Sequence, residues 1–176
     1  MKLLLHDSSV LLNLLAADCL ASISADLDWQ LAICSAVRDE VKKLRDIVTG
    51  ELVPVNITPL IESGLLQVLE LAGDEEQMLY IEQAVVVDDG EAMSVAIAAS
   101  RDLELAIDDK QATNYARRAF PQLKLWTTPE ILKHWSETAS VPTERLREVI
   151  RQIEVRARFF PSKSHVLVAW WHKAKC

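Results

Sequence analysis

Short apolar runs alternate along this chain with stretches whose apolar residues recur at helical spacing. Residues 2–5 (KLLL) read as a short buried strand, and Ser8 or Ser9 is placed to cap a helix through VLLNLLAA. A second, short helical stretch is expected over 19–25. Residues 30–34 are apolar enough for the next strand. Ser35 then opens a helix whose buried stripe is Ala36, Val37, Val41 and Leu44. Gly50, Pro54, Asn56 and Pro59 break the periodicity, so 50–59 reads as a loop or edge excursion. Residues 65–71 read as a strand, and 74–83 as a helix with acids in its first turn, where the helix dipole favours them. Asp89-Gly90 reads as a turn, 91–100 as an alanine-rich helix, 103–107 as a strand, 110–120 as a helix and 123–126 as a strand. Thr128-Pro129-Glu130 opens a further helix with proline at its start. Strand-sized runs alternating with amphipathic helices imply βαβ units, so the expected fold class is α/β with a central, mostly parallel sheet of four or five strands. In such sheets, sites lie beyond the carboxyl ends of the strands.

Composition adds bounds. A chain of 176 residues, 50% apolar and 26% charged, has the size and balance of one globular domain with a real core. No apolar run approaches the roughly 18–20 residues of a membrane span, and the apolar stretch in MKLLLH is too short for a signal peptide, so a cytoplasmic location is expected. Cys19, Cys34 and Cys176 are scattered and form no CxxC pair, which argues against a disulfide framework and a structural zinc site. Cys34 reads as a small core residue and Cys176 as an exposed thiol without a special role. The net charge of −7 hides an asymmetry. Residues 1–140 carry 11 Lys+Arg against 23 Asp+Glu, and residues 141–176 carry 8 against 3. An acidic body with a basic tail can place cations near an anionic substrate or tether the tail to an acidic surface.

The candidate chemistry lies in acids at the ends of the apolar runs: Asp7 in LLLHDSSV, Glu40 in AVRDEV, Glu91 in DDGEAMSVAIAAS, and the pair Asp108-Asp109 in LELAIDDKQA. Clustered carboxylates repel unless a positive charge sits between them. Hard divalent cations take oxygen ligands, Mg²⁺ in particular a few carboxylates plus substrate phosphates. Convergence of these segments would make a metal-dependent phosphodiester-cleaving site, which needs no side-chain nucleophile.

In order and in strand or helix context, these segments resemble the PIN-domain family of metal-dependent nucleases, which includes VapC-like toxins of bacterial toxin–antitoxin pairs. Asp7-Ser8-Ser9 after an apolar strand is similar to the opening motif, Glu40 to the second acid, Glu91 to the third in its Gly-Glu-Ala form, and Ile107-Asp108-Asp109 to the closing Thr-x-Asp motif, with Asp109 in register with the family's acid. Ile107 departs from the usual Thr or Ser and removes a hydroxyl. The resemblance covers roughly residues 1–136, with a basic, aromatic extension over 137–176 packed on the same domain. It implies a PIN-like three-layer fold and a Mg²⁺- or Mn²⁺-dependent endoribonuclease, with Asp7, Glu40, Glu91 and Asp109 as catalytic residues and Asp7, Glu91, Asp109 and Asp108 as metal ligands. It also implies an RNA substrate and a protein antitoxin; a homodimer is left open, and from the lack of a long apolar run no membrane partner is expected. A PIN-like module without turnover is the alternative; a metal-dependent phosphatase is a weaker one, because the haloacid-dehalogenase type needs Asp-x-Asp where position 9 is Ser.

Each residue also has a plainer reading. Asp7 and Glu91 sit where acids stabilise helix starts. Glu40 could pair with Lys43, and the adjacent Asp39 competes for its role. Asp88 and Asp89 read as turn residues, His6 as structural, and Ser9 equally as a helix cap or a hydrogen-bond donor to a metal ligand. Lys110, Arg117 and Arg118 read equally as phosphate contacts or a solvated helix face. In the tail, Leu146, Val149, Ile150, Ile153 and Ala157 form an apolar stripe beside Arg147, Arg151 and Arg158. The favoured reading is an amphipathic helix over 143–158 docked on the body and sealed by Phe159, Phe160, Trp170 and Trp171. RNA contact or a partner groove are the others.

Overall fold

The apolar runs pair into a parallel sheet in the computed structural model, which describes residues 2–41 and 43–175. Its strands, in chain order, are β1 (Lys2–His6), β2 (Trp29–Cys34), β3 (Lys43–Arg45), β4 (Leu52–Pro54), β5 (Leu66–Leu69), β6 (Glu104–Ala106) and β7 (Leu125–Trp126). Five of them form the central sheet in the order β5-β2-β1-β6-β7, every pair parallel. Strands β3 and β4 form a separate antiparallel ribbon. The helices are α1 (Ser8–Ala16), α2 (Leu20–Leu27), α3 (Ser35–Glu40), α4 (Thr58–Glu62), α5 (Gly73–Gln83), α6 (Asp89–Ser100), α7 (Lys110–Ala119), α8 (Thr128–Thr138), α9 (Thr143–Gln152) and α10 (Val168–Ala174). A π-helical turn, Ile153–Ala157, extends α9.

The strand order fixes where a site can form. The chain leaves β1 in one direction, through β2 to β5, and leaves β6 in the other, to β7. Right-handed crossovers therefore put helices on both faces of the sheet. The carboxyl ends of β1 and β6, paired at His6 and Ala106, flank the point where the direction reverses. Crevices at such switch points are where parallel α/β sheets bind ligands.

Burial on both faces explains the near-continuous apolar strands. Leu4, Leu5, Leu31, Ile33, Leu105 and Ile107 are all fully buried. The alanine-rich α6 packs against β1, β2 and β6, and its small side chains Ala92, Ala96 and Ala98 are likewise buried. Cys34 lies in the core, as expected, whereas Cys176 lies outside the described residues. The tail docks. Leu146, Val149, Ile150 and Ile153 enter the core, and Trp171 is fully buried with its indole N–H donating to Glu154 at 2.8 Å. Phe159 packs edge-on against Trp171 with ring centres 5.8 Å apart, while Phe160 stays exposed.

Two local expectations are corrected. The helix opened by Ser35 ends at Glu40 and does not run on to Leu44. Leu44 is still buried, but in β3, because the chain folds back through a turn at Asp46, whose carboxylate accepts the Val48 and Thr49 N–H groups, and pairs with β4. Asp89-Gly90 is the first turn of α6 and not a free turn. The Glu40 carboxylate accepts the Gly90 N–H at 3.1 Å, satisfying a first-turn donor that otherwise lacks an intrahelical partner.

Candidate active site

The five acids singled out in the sequence all line one cleft of about 300 Å³: Asp7, Glu40, Glu91, Asp108 and Asp109, together with Asp88, Ser8, Ser9 and Phe159. Asp7 directly follows β1, and its backbone N–H donates to Ala106 of β6 at 2.9 Å, which pins it to the switch point. It is also the N-cap of α1, accepting from the Ser9 N–H at 3.3 Å and the Ser9 hydroxyl at 2.6 Å. The cap reading and the site reading are therefore compatible at one residue, and Ser9 serves by bonding Asp7. Asp109 is in turn the N-cap of α7, with one oxygen accepting the Ala112 N–H at 2.8 Å.

Asp108 is held differently. One oxygen accepts the Thr128 N–H at 2.8 Å, and the other accepts the Thr128 hydroxyl at 2.5 Å and the Asn13 amide at 2.9 Å. The residue as a whole is half-buried, but these donors enclose its carboxylate. Asn13 and Thr128 did not stand out in the sequence as site residues. Their signals were there to read: Asn13 is the lone amide in the apolar run VLLNLLAA, and a buried amide needs partners. Glu40 reaches the cleft from α3 and is fixed by Gly90. A Cβ at position 90 would lie 2.5 and 2.6 Å from the two Glu40 oxygens, so glycine is what lets the carboxylate sit there.

The electrostatics are those of acids without a counter-charge. Among the described residues no Lys or Arg lines this cleft. Burial, followed by the charges of Asp7 and Asp109, pushes the Glu91 carboxyl up to about 7. Burial raises Asp108 to about 6, against the pull of its Thr128 donors. Burial also raises Asp7, opposed by Ser9 and Ser8 and reinforced by Asp109, and raises Glu40, reinforced by Asp7 and Asp88.

Other candidates fall outside the cleft. Asp39 pairs with Arg38 on the surface at 2.9 Å. Lys43 lies in β3 and does not pair with Glu40. Asp89 accepts from the Tyr80 hydroxyl, whereas Asp88, read as a turn residue, lines the cleft. His6 is fully buried beside the Ala32 carbonyl, and burial lowers it to about 4, so it is a neutral core residue. Ile107 is fully buried and does not line the cleft. Lys110 and Arg117 line a neighbouring depression with Phe160 and His165, while Arg118 is solvent-exposed.

Among the described residues no three of these donors converge tightly enough to enclose an ion by themselves. Their chemistry nevertheless fits a hard divalent cation: the donors are carboxylate oxygens, and a cation would offset the burial, and after it the neighbouring negative charges, that raise Glu91 and Asp7.

Fold and cleft together define a parallel α/β protein with an acid-lined site at its switch point. A family model described as a PIN domain matches residues 3–169, and the chain belongs to the PIN-domain family. Proteins of this family are in general nucleases that use divalent metals, bind nucleic acid and often pair with antitoxins, so membership supports a nuclease-type hydrolytic function. The match runs through α9 into α10. No curated protein and no solved structure gives a match.

Proposed function

We propose that this protein is a Mg²⁺- or Mn²⁺-dependent endoribonuclease acting in the cytoplasm, the toxin of a toxin–antitoxin pair held in check by a protein antitoxin. The observation that carries the reading is the set of acids around one switch-point cleft that, among the described residues, no cation lines. Asp7, Glu91 and Asp109 would hold the metal, with Asp108 as a further donor. A bound divalent ion supplies Lewis-acid polarisation of the scissile phosphate and activates water for in-line attack. The chain's own contribution is positioning. Ser9 orients Asp7, Asn13 and Thr128 orient Asp108, and the Gly90 N–H orients Glu40.

The test is cleavage of single-stranded RNA with Mn²⁺ by the wild type and by Asp7→Asn and Asp109→Asn, alongside calorimetric titration with Mn²⁺. Asparagine is as good a helix cap as aspartate, so both variants keep their folds. Both are expected to lose cleavage and to weaken Mn²⁺ binding, and chelator is expected to silence the wild type. Wild-type cleavage by Asp7→Asn would sink the metal mechanism.

A further inference from the structure

An acid-lined cleft in a chain of net charge −7 repels the polyanion it is proposed to cut. Beside the cleft lies a second depression, of about 370 Å³, lined by Lys43, Arg45, Arg156 and Arg158 and, among the described residues, by no acid. Ser9 and Phe159 line both depressions, so they are contiguous. The four cations come from β3 and from the end of the π-helical turn, segments far apart in sequence.

Hydrogen bonds hold two of these cations without neutralising them. Arg156 donates to the carbonyls of Ala16 at 2.6 Å and Arg45 at 3.2 Å, and Arg45 donates to the Gly50 carbonyl at 2.8 Å. Asp46, beside Arg45 in sequence, has its carboxylate already engaged by the Val48 and Thr49 N–H groups and feels Arg156 only as a minor influence. Lys43 and Arg158 make no ion pair among the described residues. Arg158 adopts a left-handed conformation with φ of 58°, which costs a residue with a β-carbon and turns the chain so that Phe159 reaches the cleft rim. Trp171 backs the Phe159 ring.

We infer that this basic bay is a phosphate subsite for single-stranded RNA, holding the backbone next to the phosphodiester in the acid cleft, with Phe159 between them as a stacking surface. The inference rests on the nuclease reading for its substrate. Four cations with no acid among the described lining residues suit a phosphate backbone, and an aromatic ring at the junction suits an unpaired base, since aromatic stacking with charge contacts is how single strands are held. Lys43, Arg45, Arg156 and Arg158 thus offset the repulsion of the acids and set the strand's path into the cleft.

The test uses the full chain, in EDTA so that nothing is cut, and a short fluorescein-labelled single-stranded oligoribonucleotide read by anisotropy over a series of salt concentrations. The double variant Lys43→Gln, Arg158→Asn removes two charges at exposed positions, and asparagine tolerates the left-handed conformation. With a melting temperature matching wild type, it is expected to bind roughly tenfold or more weakly, and its log–log salt slope to fall by about 1.4, the value for two lost contacts to a single strand. Wild-type affinity and slope in the variant would overturn the assignment. So would equal binding of duplex RNA, or displacement of the oligonucleotide by polyglutamate at equal charge, which would mark a site for an acidic protein segment. Hydrolysis of bis(p-nitrophenyl) phosphate by the wild type with Mn²⁺ reads the acid cleft alone. Its failure would count against the nuclease reading while leaving the binding result to judge the bay.

Discussion

Glu91→Gln isolates the cost of assembling the acid cleft. The change is nearly isosteric and removes one charge from a half-buried carboxyl that is pushed from 4.5 to about 7, by burial first and by Asp7 and Asp109 next. A carboxyl raised in the folded state binds more protons there than in the unfolded chain. Stability of the metal-free protein therefore falls as pH rises from the unfolded value near 4.5 through about 7, and the loss is complete above that. At about 1.36 kcal/mol per pH unit, the upper limit is about 3.4 kcal/mol, and screening by water at a half-buried group reduces it to about 1–2 kcal/mol. In a chain of this size that corresponds to roughly 2–8 °C in melting temperature. Thermal unfolding in EDTA is expected to show Glu91→Gln equal to wild type at pH 4 and more stable by that margin at pH 8. Mn²⁺ is expected to stabilise the wild type strongly, by about 2.7 kcal/mol at a hundredfold excess over its dissociation constant, and the variant less. If the two proteins melt together at pH 8 in EDTA, the charged Glu91 carboxylate carries no such penalty from burial and its neighbours. If Mn²⁺ then stabilises both equally, it is not a ligand.

Gly90→Ala places a methyl 2.5 Å from a Glu40 oxygen, so the carboxylate must swing away and its bond to the residue-90 N–H is lost. The helix-propensity gain of up to about 1 kcal/mol roughly offsets that loss, so unchanged melting with weaker Mn²⁺ binding by calorimetry is expected. Unchanged Mn²⁺ affinity would remove Glu40 from the site. Thr128→Val strips a donor from Asp108 and leaves the Asn13 amide one partner short, which is expected to lower stability by about 1–3 kcal/mol in urea unfolding. The loss is expected to be larger at pH 8 than at pH 5, because the Asp108 carboxyl, raised to about 6, is charged at the higher pH. Equal losses at the two pH values would show that the hydroxyl does not serve the charged carboxylate. Trp171→Ala empties a fully buried site and is expected to cost about 3–5 kcal/mol in the same assay. A cost under about 1 kcal/mol would mean that the tail is not part of the core.

Much of this was legible in the chain, because both periodicities of secondary structure are written locally. KLLLH and WQLAIC are mostly apolar, as strands buried on both faces are, and Leu146, Val149, Ile150 and Ile153 repeat at helical spacing. Asp7 and Asp108-Asp109 were visible because they fall where apolar strands end, and in parallel sheets those ends share one edge, whereas Glu40 and Glu91 stood out on helices that start nearby. Only the tertiary structure decided the rest, since it depends on contacts between segments far apart. The helix after Ser35 stops at Glu40 because β3 finds β4, and Asp89-Gly90 becomes helix because Glu40 caps it from another element. Asp108 is enclosed by Asn13, 95 residues away in sequence, and by Thr128, 20 away. The basic bay joins Lys43 and Arg45 to Arg156 and Arg158 across more than a hundred residues. Local pattern fixes which residues are apolar and which stretches become strands or helices, whereas the docking of the tail on the ribbon decides which cations stand beside which acids.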